Sequence, residues 1–171
     1  LPNGILDTGF GSGGILSYAL HSGTDYTTTV AGAVFTPDGK MVVGGQTYSD
    51  ELESNGWYAV RFLPDGSFDT SFNHTGIAYV PLGYCHAVAV QSDGKIILGG
   101  YNLFNPNNVV PFLLARFNTD GSPDTGFDST GIADFQWEAG SENKLRDIAI
   151  QSDGKILMAG RAMNPVTQQY D

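Results

Sequence analysis

A chain of 171 residues that is 41% hydrophobic and 12% aromatic has enough apolar material to bury a core, which excludes a disordered segment. Eight Lys and Arg against eighteen Asp and Glu give a net charge of -10, which argues against nucleic acid or an anionic membrane surface as partner. No apolar run approaches the ~20 residues of a membrane-crossing helix, and the one cysteine, Cys85, cannot close an intrachain disulfide. The first residue is Leu1 and no signal-peptide pattern follows it, so a processed chain or a fragment is expected.

Three units follow one another, 1–62, 63–117 and 118–171. A period of this size is the mark of a repeat architecture. Each unit opens on a turn: Leu1-Pro2-Asn3-Gly4, Leu63-Pro64-Asp65-Gly66 and Asn118-Thr119-Asp120-Gly121. Next comes Leu6-Asp7-Thr8-Gly9-Phe10, Phe68-Asp69-Thr70-Ser71-Phe72 or Pro123-Asp124-Thr125-Gly126-Phe127. A Gly-Ile pair (Gly14-Ile15, Gly76-Ile77, Gly131-Ile132) then starts a short strand-like run such as Ile77 to Val80.

A second β-prone run, Ala33 to Phe35, Val88 to Val90 or Ile148 to Ile150, leads into the most repeated stretch of the chain. That stretch is Gln91-Ser92-Asp93-Gly94-Lys95-Ile96-Ile97-Leu98-Gly99-Gly100, with copies at 151–160 and, more loosely, 36–45. The Asp-Gly pair suits a type I turn followed by a left-handed glycine, which joins antiparallel strands. A last run, Trp57 to Phe62 or Phe112 to Phe117, completes four strand candidates per unit, and no window holds a 3.6-residue period.

Repeated four-stranded antiparallel sheets predict an all-β fold, the blades of a β-propeller. Lys95-Ile96-Ile97-Leu98 does not alternate, as expected of a sheet covered on both faces, and the Gly-Gly pairs permit close approach of neighbouring sheets. A β-sandwich or a solenoid built from the same hairpins is the alternative. Arg61 and Asp69, like Arg116 and Asp124, stand at the same offset across a turn, which predicts a buried ion pair in each unit. Asp7 has no such Arg ahead of it, and a partner from another chain or from further residues is expected. Three blades cannot close a ring, so the chain is expected to be part of a longer propeller or a homo-oligomer.

These motifs resemble the delta-sixty repeat of bacterial surface and secreted proteins, which is regarded as propeller-like. The resemblance rests on the Asp-Thr-Gly/Ser-Phe stretch, on Gln-Ser-Asp-Gly-Lys-Ile with its Gly-Gly, and on the Ala-Arg-Phe run at 115–117. It spans nearly the whole chain. Unit 1 departs from it with Thr36-Pro37, and unit 3 stops before its Arg-Phe. The resemblance implies a cell-surface or secreted location and no assigned enzymatic activity.

In a propeller blade the first-to-second and third-to-fourth turns share one end, and here those are the repeated turns. The connections at the other end differ between units: 46–55, 101–110 and 161–169, with 20–28 and 138–144. Variable loops on a constant scaffold are where binding residues are carried. Tyr48, Glu51, Trp57, Tyr101, Phe104 and Trp137 are the candidate ligand-binding residues, with Asp50, Glu53, Glu138 and Glu142 nearby. Aromatics beside carboxylates suit a carbohydrate or protein ligand; packing within their own loops is the structural alternative.

No cofactor is expected. Asp65 with Asp69 and Asp120 with Asp124 flank a glycine and raise a calcium reading, but they lack the six to eight oxygens a hard cation takes, and Asp is also a turn former. Cys85-His86 would point to opposite faces of a strand. Asn73-His74-Thr75 fits a glycan acceptor. Asp147 is the only acid at its first-strand position, where the other units carry Gly32 and Ala87; paired acid-base work of a hydrolase or lyase needs two. A non-catalytic binding or scaffold module is therefore expected, with a subunit that completes a ring or filament by sharing strands as the alternative.

Overall fold

A computed structural model describes residues 3–20, 26–49, 54–102, 110–136 and 142–163. The strands are β1 (Tyr26–Phe35), β2 (Met41–Ser49), β3 (Ser54–Phe62), β4 (Ile77–Val80), β5 (Tyr84–Val90), β6 (Ile96–Tyr101), β7 (Phe112–Phe117), β8 (Ile132–Phe135), β9 (Glu142–Ile150) and β10 (Ile156–Met163). They form two four-stranded sheets, β1-β2-β3-β4 and β5-β6-β7-β8, and among the described residues a two-stranded sheet of β9 and β10. Every pairing is antiparallel. This is the blade architecture of a β-propeller.

Blades and sequence units are offset from each other. The fourth strand of each complete blade, β4 or β8, comes from the start of the following unit. The return loop explains this: Asp69 N–H donates to Arg61 O (3.0 Å) and Arg61 N–H to Gly76 O (2.9 Å), so Ile77 re-enters opposite Val60. The same bonds, Asp124 to Arg116 and Arg116 to Gly131, bring Ile132 in opposite Ala115. In unit 1 the run expected from Gly14-Ile15 makes only an isolated bridge, Ser12 to Ile15, because no third strand lies beside it among the described residues.

Side chains alternate across each strand, and both faces of the middle sheet are covered. Ile96 and Leu98 pack towards the first sheet, on Val42, Trp57 and Ala59. Ile97 points the other way, to Leu145 and Ile148 of the third. Such a strand has no polar face, so its apolar run is unbroken. Glycine sets the spacing: a Cβ on Gly44 would lie 2.7 Å from Leu98 Cδ2, and one on Gly99 3.0 Å from both Ile148 Cγ2 and Leu145 Cδ2. The outer half of the first sheet, Val43, Tyr58, Val60 and Phe62, is covered by Leu16, Tyr18 and Leu20. The repeat counterparts of those three, Ala78, Val80 and Leu82, lie in the same cluster as Leu113, Ala115 and Phe117 of the second sheet.

A prediction follows from this spacing. A Cβ at Gly100 would collide with the Tyr84 carbonyl and sit 2.7 Å from Trp57 Cζ2. Gly100→Ala should therefore destabilise by about 1–3 kcal/mol, as overpacking does. A urea titration would show a lower midpoint at unchanged slope.

Candidate functional site

The end of the blades that carries the Asp-Gly turns is built around a buried carboxylate. Asp69 Oδ2 accepts from Arg61 Nε (2.8 Å) and from Lys40 Nζ (3.0 Å), while its Oδ1 accepts from the Ser71 N–H (3.1 Å). Arg61 Cζ lies 4.6 Å from the centre of the Phe72 ring. The second blade repeats the set: Asp124 Oδ2 accepts from Arg116 Nε (2.7 Å) and Lys95 Nζ (2.8 Å), its Oδ1 from Gly126 N–H (3.1 Å), and Arg116 lies 4.3 Å over Phe127. The expected Arg–Asp pairs are thus present. The lysine is the member that the sequence reading missed, although its constant position after the Asp-Gly turn, at 40 and 95, was the available signal.

Burial alone would raise the Asp69 carboxyl, but the Ser71 hydroxyl, the Lys40 ammonium and the Arg61 guanidinium outweigh it and hold it at about 2. Asp124 is lowered too, by Lys95 first and with help from Gly126 N–H and Arg116, against burial. Lys40 is raised, chiefly by Asp69.

Between the turns of the first and second blades a cleft of ≈ 460 Å³ opens, lined by Thr36, Asp38, Lys40, Arg61, Asp93 and Asp120 among others. One difference between units produces it. Gln91 bridges the next gap, its Nε2 donating to Gly154 O (3.1 Å) and its Oε1 accepting from Arg116 Nη1 (3.4 Å). Thr36 stands in the same place and donates instead to Asp38 of its own turn. Arg61 Nη1 crosses that gap lower down, to the Thr119 carbonyl.

At the opposite end lie the variable connections. Tyr101 stacks on Tyr84 (5.3 Å between centroids) and on His86 (5.2 Å), and Tyr48 is half-buried. Burial, and then the Arg146 charge, push the His86 imidazole below its ordinary value. Cys85 turns into the core instead, and burial pushes its thiol up to about 12.

Two of the expected exposed aromatics are not exposed. Trp57 is fully buried between the first and second sheets, and Tyr101 is 8% exposed. The reason is strand length: β2 runs to Ser49 and β3 starts at Ser54, so Trp57, opposite Gln46, sits well inside the ladder. Glu51, Phe104 and Trp137, with Asp50, Glu53 and Glu138, lie outside the described residues. Of the paired carboxylates weighed for calcium, Asp65 and Asp120 accept from Ser67 and Ser122, while Asp69 and Asp124 face cations. The Asn73 side-chain amide donates to Ile77 O (2.8 Å).

Two stretches of the chain, 36–72 and 91–127, match a family model described as a domain of unknown function (DUF5122) beta-propeller. Each match begins at the Asp-Gly turn and ends on the phenylalanine beneath the arginine, Phe72 or Phe127. No curated protein matches the chain. With the sheets described above, the match makes this a protein of β-propeller repeats.

Because Asp69 titrates lower in the folded chain than in the unfolded one, its contribution is complete above the ordinary carboxylate range and is lost as pH falls through about 2. Asp69→Asn leaves Lys40 and Arg61 without their shared anion and should cost about 3–5 kcal/mol at neutral pH. Stability followed by denaturant titration from pH 6 to pH 2 should fall less steeply below pH 4 in the variant than in the parent chain.

Proposed function

We propose that the chain is a non-catalytic binding or scaffold module of the cell surface or extracellular space, engaging its ligand at the variable-loop end of the blades. The observation that carries this reading is the contrast between the two ends. The turn end of the first two blades is the same device repeated, Lys–Asp–Arg over Phe, with the buried aspartate already paired. The other end changes from blade to blade, and fixed scaffolds with changing loops are built to present binding residues.

A carbohydrate is the favoured ligand class, since the half-buried Tyr84 and His86 at that end stack on the buried Tyr101, and aromatic faces beside polar groups suit sugars. A protein ligand would meet the same surface through the same rings. The location rests on the likeness to delta-sixty repeats of surface and secreted proteins. The rival enzymatic reading needs converging acids near the axis, and the positions equivalent to Asp147 in the other two blades hold Gly32 and Ala87.

An array of defined glycans probed with the labelled chain tests this directly. At least one glycan class should be retained, and Tyr48→Ala and Tyr84→Ala should each weaken that binding tenfold or more while the melting temperature moves by only a few degrees. An array without retention would remove carbohydrate as the ligand. Retention unchanged in both variants would move the ligand off this end.

A further inference from the structure

The two outer faces of the stack of sheets are complementary to each other, and the repeat shows how. In the middle blade the face turned to the preceding sheet carries Cys85, Val88, Val90 and Leu98, packed on Val42 and its neighbours. Pairing registers place Val30 where Cys85 and Leu145 stand, and Phe35 where Val90 and Ile150 stand. Cys85 and Leu145 are buried, whereas Val30 is 63% exposed and Phe35 73%. At the far end Leu157 occupies the position of Val42 and Ile97, both fully buried, yet is 52% exposed.

The charges at the turn end are unfinished at the same two faces. Lys155 stands where Lys40 and Lys95 stand, but among the described residues its ammonium meets only the acid of its own turn, Asp153 (2.7 Å), and is largely exposed. Asp7 stands where Asp69 and Asp124 stand and makes the same local bond, accepting from Gly9 N–H (3.0 Å), with no cation on it among the described residues. One face thus offers the lysine of a Lys–Asp pair and the other offers the aspartate.

The segment that carries Asp7 is already seated for this role. Gly11 N–H donates to Asp65 O as Asn73 N–H donates to Asp120 O, and Leu16, Tyr18 and Leu20 lie on the first sheet as Ala78, Val80 and Leu82 lie on the second. Residues 3–20 therefore sit where the return loop and fourth strand of a preceding blade belong.

We propose that the occupant of both faces is a second copy of this chain, with the Leu157 face of each protomer packed on the Val30–Phe35 face of the other and Lys155 paired to Asp7 across the junction. The contact is head to tail and occurs twice, so it closes. Propellers use roughly four to eight blades, and two copies of the three sheets described supply six. One feature sets the strength of the junction: Asp147 is exposed on the Leu157 face, at the position where Ala87 is buried in the middle blade. A carboxylate there resists burial, so the junction between copies is weaker than the contacts between blades of one chain.

Light scattering over a series of micromolar concentrations tests the proposal and is independent of any ligand. The chain should reach twice its 18.2 kDa and stop there. A mass of one chain throughout, or one that grows without limit, would overturn the closed pair. Phe35→Lys and Leu157→Lys change side chains that are exposed in one chain, so each should keep the far-ultraviolet circular dichroism of the parent and run as one chain. Their equimolar mixture should regain the two-chain mass, because one junction then joins two unaltered faces. If Leu157→Lys alone still paired, like faces would be meeting like and the head-to-tail geometry would be wrong. Asp7→Lys and Lys155→Asp should each weaken pairing several-fold, their combination in one chain should restore it, and Asp147→Ala should tighten it; failure of the restoration would remove the Lys155–Asp7 contact.

Discussion

The fold depends on a carboxylate that gathers three separate stretches of chain. Asp69 is reached by Lys40 at the head of β2 and by Arg61 near the end of β3, while it sits on the return loop that leads to β4. Asp124 does the same with Lys95 and Arg116. Burying such a group adds little net stability, since desolvation offsets most of the attraction. Its effect is on specificity: the loop can close in only one way that satisfies both cations. That closure fixes Ile77 opposite Val60 and Ile132 opposite Ala115, and so sets the register of the fourth strand. The phenylalanine under each guanidinium, Phe72 or Phe127, ties this polar knot to the apolar layer below.

That apolar layer lies between blades rather than within them. A single antiparallel sheet has no interior, and Ile96, Ile97 and Leu98 reach full burial only because sheets stand on both sides. Each blade is therefore stabilised mainly by its neighbours, as in other repeat proteins. Glycine at 44 and 99 lets the sheets approach closely enough for side chains of one to fill the hollows of the next. Polar contacts between blades join specific partners: Gln46 accepts from the Cys85 N–H (2.7 Å), Arg61 donates to the Thr119 carbonyl, Asn143 donates to Val110 O, and Gln91 reaches Gly154. Where Thr36 replaces the glutamine, the gap stays open as the cleft.

Much of this was legible in the sequence because the turn chemistry is local. Asp-Gly pairs flanked by β-branched runs mark the hairpins, and a constant offset marks the pairs Arg61–Asp69 and Arg116–Asp124. The lysines are less visible, because Lys95 and Asp124 stand 29 residues apart in sequence, with two strands between them, and no local rule reports the contact. The aromatics were misplaced for a related reason. Trp57 stands near a variable loop in sequence, but β3 begins three residues earlier, and strand ends are what a single sequence marks least sharply.

The two ends of the blades carry opposite constraints, and the difference bears on where change is tolerated. At the turn end, removing the aspartate of the Lys–Asp–Arg set leaves a buried arginine without its anion, and removing a cation leaves the aspartate with one partner in place of two, so these positions answer to the fold. At the loop end Tyr84 and His86 each stack on Tyr101, and the connections there differ in length and sequence between units. Loop sequence there can vary without disturbing the core. In the closed pair proposed here the loops of six blades would be brought around one axis, with Asp147 of each copy near the inner strands. A ligand at that end would then meet loops from both chains, and its binding would be linked by mass action to the pairing of the chains.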